Sequence, residues 1–224
     1  MRAKLSVVMP TLNAEAGLAR ALPALAEGLE AGLIRELVIS DGGSDDATAR
    51  IAEAAGAVLV TGAASRGGQL RRGVGVARGE WLLVVHADTA LPQGWPEVVK
   101  AHIASGQGAA AFRLSFDARG LAPVIVAGWA NLRSKVFGLP YGDQGLLLSR
   151  SDYDAAGGYP DIPLMEDVAL ARALGRRVAL LPATVTTSAE RYRRDGWLRR
   201  GGRNLWLLLR YLGGVRPEEL ARRY

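Results

Sequence analysis

Cysteine is missing from all 224 residues, which rules out disulfides, thiolate zinc sites and cysteine nucleophiles together. That absence agrees with a reducing compartment. No apolar run approaches the roughly 20 residues that a bilayer-spanning helix needs. The nearest stretch, Leu205–Leu209, has arginines close on both sides. Neither G-x-G-x-x-G nor G-x-x-x-x-G-K-[ST] occurs, so the usual dehydrogenase and P-loop kinase readings lose their main support. The chain enters a strand pattern at Leu5 after only two basic residues, Arg2 and Lys4, so neither a signal peptide nor a transit peptide is expected. Repeats and low-complexity linkers are absent as well.

Charge is present but unevenly placed. From Glu190 to Tyr224 ten arginines stand against four acids, which accounts for the whole net charge of +6; the residues before them hold 18 of each sign. A balanced body with a basic tail argues for a local anionic partner and against a chain coated with nucleic acid. With 49% hydrophobic residues there is ample core for one globular domain.

Strand-like and helix-like segments alternate, the pattern of βαβ units and a mostly parallel sheet. The expected class is therefore α/β. Strands are expected at Leu5–Met9, Glu36–Ser40, Ala57–Thr61, Trp81–Val85, Ala109–Phe116 and Leu146–Ser149. Helices are expected after Asn13 and Ser44 as N-caps, with Asp45 and Asp46 in the first turn of the second one. Further helices are expected from the Ala63–Gln69 loop to Ala77, over Pro92–Ser105 and Ala122–Phe137, and from Glu166 to about Leu174. One domain is expected over 1–194, with a basic helical extension over 195–224.

The stretch Trp81-Leu-Leu-Val-Val-His-Ala-Asp88 organises the rest. Its unbroken apolar run suits a strand buried on both faces. Ligands in open α/β sheets bind at the carboxyl ends of strands, which puts His86 and Asp88 at the rim of a site. Asp41 stands at a second strand end, before two glycines. Glu166 and Asp167 open a helix behind the shaped loop Gly157-Gly-Tyr-Pro-Asp-Ile-Pro-Leu-Met165. Arg66 and the glycines beside it could cradle phosphate at a helix start. His102 falls within a helix and is expected to be a surface or satisfied side chain.

In order and spacing these motifs resemble the family 2 glycosyltransferases of GT-A fold. The likeness runs through Val7-Val-Met-Pro-Thr-Leu-Asn13 with Glu15, Val38-Ile-Ser-Asp-Gly-Gly-Ser44, the Arg66/Gln69/Gly73 helix start, His86-Ala-Asp88, Arg150 with Gly157-Gly-Tyr159, and Glu166-Asp167. The H-A-D-T, G-D-Q and I-P-L-M-E-D strings are similar to a bacterial subgroup labelled transferase 2, rSAM/selenodomain-associated. The resemblance implies a nucleotide-sugar donor, with uridine diphosphate the expected carrier, held by Thr11, Glu15, Asp41, Gly42, Arg66, Gln69, His86 and Asp88. It implies Mn²⁺ or Mg²⁺ on Asp88, Asp167 with Glu166 as the base in an inverting transfer, and Gly142, Asp143 and Gln144 on the acceptor or sugar side. His86 stands where the family has the first Asp of D-x-D, and the downstream Q-x-x-R-W motif of processive synthases is absent. Two alternatives are a sugar-phosphate nucleotidyltransferase and a nucleotide-sugar-binding module without turnover.

The tail has two readings. Leu198, Leu205, Leu208, Leu209 and Leu212 fall near one helical face, beside Trp197, Trp206 and Tyr211. They either cover the domain or lie on an anionic membrane surface. The expected location is cytoplasmic, with a peripheral place on the inner face of the membrane under the second reading. A lipid-linked hydroxyl is then one candidate acceptor. A homodimer through the apolar helix around Trp129 or through the tail is a further expectation.

Overall fold

The computed structural model describes residues 3–175 and 178–223; Arg2, ahead of the first strand, lies outside them. β1 (Leu5–Thr11), α1 (Glu15–Glu30), β2 (Ile34–Asp41), α2 (Thr48–Ala54), β3 (Val58–Thr61) and α3 (Arg66–Val76) alternate first. β4 (Trp81–Val84), a short β5 (Thr89–Ala90), α4 (Trp95–Ser105), β6 (Ala110–Phe116) and α5 (Leu121–Phe137) follow. After a 3-10 turn at Gly142–Gln144 come β7 (Leu146–Ser149), α6 (Arg150–Ala155), α7 (Glu166–Ala173) and β8 (Ala179–Thr187). The chain then turns helical through α8 (Glu190–Asp195), α9 (Trp197–Leu212) and α10 (Pro217–Ala221).

All eight strands form one sheet in the order β3-β2-β1-β4-β7-β6-β8-β5. β3, β2, β1 and β4 run parallel, β7 reverses between β4 and β6, and β6 pairs parallel with β8. The class is α/β with a mostly parallel sheet, as expected. β4 shows why an unbroken apolar run was needed. Leu83 and Val85 enter one core with Val7, Met9 and Ile39, while Leu82 and Val84 enter the opposite core with Val8 and Val38. Burying such a side chain stabilises by about 1.5–3 kcal/mol, so one strand anchors both helical layers.

Four local expectations are corrected. Neither Asn13 nor Ser44 caps a helix: α1 and α2 begin after Ala14 and Ala47, without side-chain caps. The Ser44 hydroxyl instead accepts the Asn13 N–H at 2.8 Å, and Asn13 Oδ1 accepts the Asp45 N–H at 3.0 Å. Asp46 lies ahead of α2, where its carboxylate takes the N–H groups of Glu15 (3.0 Å) and Thr48 (2.9 Å). Hydrogen bonds between the two loops have displaced the local caps. β8 is not among the expected strands, and it contains Pro182, a residue uncommon inside sheets. In the structure Pro182 falls where the β6–β8 register shifts, between the Leu180–Ala111 and Thr184–Arg113 pairs.

The stretch from Asp195 onward is helical, and it contributes Leu207 and Leu208 to the core that also holds Val168 and Leu170. Tyr192 and Trp197 pack on Phe116, with ring centroids 4.9 and 5.1 Å away. No helix among the described residues is long and apolar enough to cross a membrane.

Candidate active site

The parallel half of the sheet brings the ends of β1, β2 and β4 to one edge. Thr11 pairs in register with Asp41, and His86-Ala87-Asp88 follows β4 in a turn closed by Thr89 N–H on His86 O at 3.1 Å. Two hollows open over this edge. One, of about 350 Å³, is lined by Thr11, Asn13, Gly17, Arg20 and Gln69. The other, of about 100 Å³, is lined by Tyr141, Gly142, Asp143, Met165, Asp167 and Asn204. Arg66, His86, Asp88, Ser188 and Arg191 line both. Asp88 thus stands where the two hollows meet, with two arginines.

The start of α1 is pressed against the turn that carries Asp88. A Cβ on Gly17 would lie 2.8 Å from the Ala87 carbonyl oxygen. Gly17→Val should therefore displace residues 86–88. Overpacking of this kind costs about 1–3 kcal/mol, and a lowered melting temperature with lost ligand stabilisation is the expected result. Unchanged ligand stabilisation would show that the 86–88 turn is not part of the site.

Asp167 lines the second hollow together with His86 and Asp88 of the turn. Its Oδ2 accepts the Gly142 N–H at 2.8 Å and its Oδ1 accepts the Val168 N–H at 2.7 Å, so two backbone donors orient the carboxylate. Gly142 is itself pinned, because a side chain there would overlap the His86 imidazole. One short backbone segment thereby ties the Asp167 carboxylate to the residue two places before Asp88. Met165, just ahead of α7, is held at φ 68°, a left-handed conformation that a non-glycine residue adopts at a cost. That bend directs the opening of α7 at the hollow.

The electrostatics separate the acids. Glu166 is 1% exposed, and neither carboxylate oxygen has a hydrogen-bond partner; Arg66 Nε lies 3.9 Å away. Burial, reinforced by the Asp167 charge and opposed by Arg66, pushes its carboxyl up to about 7. Asp143 is pushed up to about 6, by burial first and then by Asp167 and Asp88, against Arg133. Its Oδ1 is shut off from solvent without a partner. Burial and the neighbouring Arg66 depress His86 to about 4, so the imidazole is neutral at pH 7.

Thr11, Arg66, Gln69, His86, Asp88, Gly142, Asp143 and Asp167 all line one hollow or the other. Glu15, Asp41, Gly42, Gln144 and Glu166 line neither. Asp41 is filled from within the chain: Oδ1 accepts the Thr11 and Ser44 hydroxyls, and Oδ2 accepts the Gly43 and Ser44 N–H groups. Burial opposes its charge, but these hydrogen bonds outweigh burial and hold its carboxyl below the ordinary 3.8. Glu15 Oε2 accepts the Ala47 N–H at 3.3 Å. Gln144, expected on the acceptor side, is fully buried instead. Its amide donates to Phe112 O and accepts from Ser134 and Arg133, so it completes a core network. His102 is buried and satisfied, 2.8 Å from Gly108 O.

Residues at the end of β8 and in α8 and α9 also line the site: Thr187, Ser188, Arg191, Tyr192, Arg200 and Asn204. The excess of arginine after Glu190 was their one trace in the sequence. Among the described residues no three His, Asp or Glu side chains converge as a metal-binding group. The donor set fits a cation in one way only. Mg²⁺ and Mn²⁺ take hard oxygen ligands, and one or two carboxylates with phosphate oxygens and water suffice. Asp88, at the junction of the two hollows, is the carboxylate that could serve a cation in that way.

Residues 6–120 match the model of glycosyl transferase family 2. No curated protein matches the chain. Among solved structures, S. aureus TarS 1–349 is 18% identical, with a TM-score of 0.65 over 83% of this chain and 60% of that one. The mannosyltransferase PcManGT from Pyrobaculum calidifontis, solved with GDP-Man and Mn²⁺, is 19% identical, with a TM-score of 0.64 over 88% of this chain and 62% of its own. Glucosyl-3-phosphoglycerate synthase from Mycobacterium tuberculosis, solved with Mn²⁺ and UDP-glucose, is 22% identical, with a TM-score of 0.57 over 83% and 70%. The chain spans 60% of the TarS fragment and 35% of the whole TarS chain. At these identities the likeness is one of fold.

Proposed function

We propose that this chain, which belongs to glycosyl transferase family 2, moves a hexose from a nucleoside-diphosphate sugar to an acceptor hydroxyl with inversion at the anomeric carbon. The observation that carries this reading is the meeting of two hollows at Asp88, Arg66 and Arg191, with Asp167 also lining one of them. The nucleoside lies in the hollow lined by Thr11 and Gln69. Asp41 shapes that hollow by holding the loop after β2 in place. The diphosphate lies at the junction, and the sugar points toward Asp167.

The acceptor oxygen bonds to the anomeric carbon from the face opposite the diphosphate. Its O–H bond breaks and the proton passes to Asp167, while the bond from the anomeric carbon to the diphosphate oxygen breaks on the other side. The nucleoside diphosphate leaves with the bonding electrons. Arg66 and Arg191 then face the charge that grows on it. Asp88 would hold Mn²⁺ or Mg²⁺ against the same oxygens, and the ion when bound supplies Lewis-acid neutralisation of the leaving group. Uridine diphosphate is the proposed carrier. The H-A-D-T, G-D-Q and I-P-L-M-E-D strings support the narrower placement in the transferase 2, rSAM/selenodomain-associated subgroup.

A thermal-shift screen of UDP-, GDP- and dTDP-sugars with Mn²⁺ tests the reading, because a true donor raises the melting temperature in step with log concentration above Kd. If no nucleotide sugar stabilises the fold, the proposal fails. Arg191→Ala should lower kcat/KM for the working donor by about 10- to 100-fold, the scale of one hydrogen bond to a charged group. Full activity in that variant would remove Arg191 from the leaving-group site.

A further inference from the structure

Along α5, Leu121, Ile125, Trp129, Leu132 and Val136 recur every three or four residues, with Val124 beside Ile125, and all six are exposed, Leu121 to 81%. Of the exposed residues of α5, all of which are described, Lys135 alone is charged. A continuous apolar face of this length, outside any core, marks a docking surface. α9 packs beside α5, with Gly201 next to Val126. Leu198, Leu209 and Leu212 are exposed on α9 and share a helical face with Leu205, which turns toward Trp129. The apolar surface therefore crosses from one helix to the other.

A narrow crevice of about 30 Å³ lies between the two helices, lined by Val126, Trp129, Gly201 and Leu205 among others. Tyr141, Asp143, Tyr192 and Asn204 line both this crevice and the hollow that contains Asp167. The apolar surface thus shares a wall with the site.

We infer that the α5–α9 face lies on an anionic bilayer. Charge selects the bilayer over a second copy of the chain. Arg199 and Arg210 are exposed on α9, each next in sequence to an exposed leucine of this face, Leu198 and Leu209. Anionic headgroups complement that charge, whereas two copies face to face would bring two such pairs of arginines together. An apolar face with tryptophan and leucine beside arginine is the composition of helices that lie in a membrane interface.

The test uses the full chain with vesicles of phosphatidylcholine alone or mixed with phosphatidylglycerol, at low salt. Wild type should pellet with the mixed vesicles, and the blue shift of tryptophan emission that accompanies binding should shrink in Trp129→Phe. Ile125→Glu/Leu132→Glu, two changes on the exposed face, should bind the vesicles at least about tenfold more weakly, because each charge would have to enter the hydrocarbon edge. UDP should stabilise every variant equally, which separates a failure here from a failure of the donor site. Three results would overturn the inference: no pelleting of wild type, equal pelleting of the double-glutamate variant, or a lipid-free dimer that this variant dissolves.

Discussion

Asp167→Asn should lower kcat by roughly 10²–10⁴ while leaving the Kd for the nucleotide diphosphate near its wild-type value, since general-base contributions are of that size. The expectation follows from the two backbone N–H groups that hold the carboxylate. Each oxygen keeps a lone pair free for the acceptor proton, and neither donor depends on the substrate. An amide in the same place loses the basic oxygen. It also turns an –NH₂ toward either Gly142 N–H or Val168 N–H, so one hydrogen bond is lost at a cost of about 1 kcal/mol. A melting curve on the same sample separates that small destabilisation from the loss of rate. Asp167→Asn turning over at the wild-type rate with a working donor and acceptor would remove Asp167 as the base.

How far the residues alone led depends on what kind of interaction set each feature. Trp81–Val85 and the α/β alternation were legible because burial on two faces leaves an unbroken apolar run, and β4 sends alternate side chains into opposite cores. Asp88 and Asp167 were legible as a strand-end and a helix-start carboxylate, and both line the same hollow. Asn13 and Ser44 looked like helix caps because the residue type is the same whether the hydroxyl or amide bonds the next turn or a neighbouring loop. The pairing across 31 residues, Asn13 N–H on Ser44 Oγ, has no local signature. Gln144 shows a related effect. Its sequence neighbours Gly142 and Asp143 do line the hollow, but the 3-10 turn carries the next side chain into the core. Arg191 and Asn204 lie far along the chain from the acids they face, so composition showed a cationic tail and could not show that it closes the site.

Glu166→Gln should stabilise the protein at pH 8, and that gain should disappear toward pH 5. The Glu166 carboxylate is buried without a hydrogen-bond partner, and its folded value of about 7 lies above the ordinary 4.5. Between those values the folded chain holds a proton that the unfolded chain has released, so stability falls as pH rises through the interval. The contribution of Glu166 is complete below about 4.5 and lost above about 7. A difference of that size corresponds to a cost on the order of 3 kcal/mol at pH 8, or about 6–12 °C in melting temperature for a chain of this length. Glutamine keeps the shape without the charge, although it gives up the Arg66 ion pair at 3.9 Å, so the observed gain should fall below that ceiling. Asp143 titrates from about 6 in the same direction, but it is present in both proteins and cancels in the difference. The measurement is a pair of stability–pH curves from pH 5 to 8. Curves that converge at low pH and separate above 7 support a charge kept in the core at a cost, beside the base it crowds. Parallel curves would mean that Glu166 ionises as freely in the folded chain as in the unfolded one.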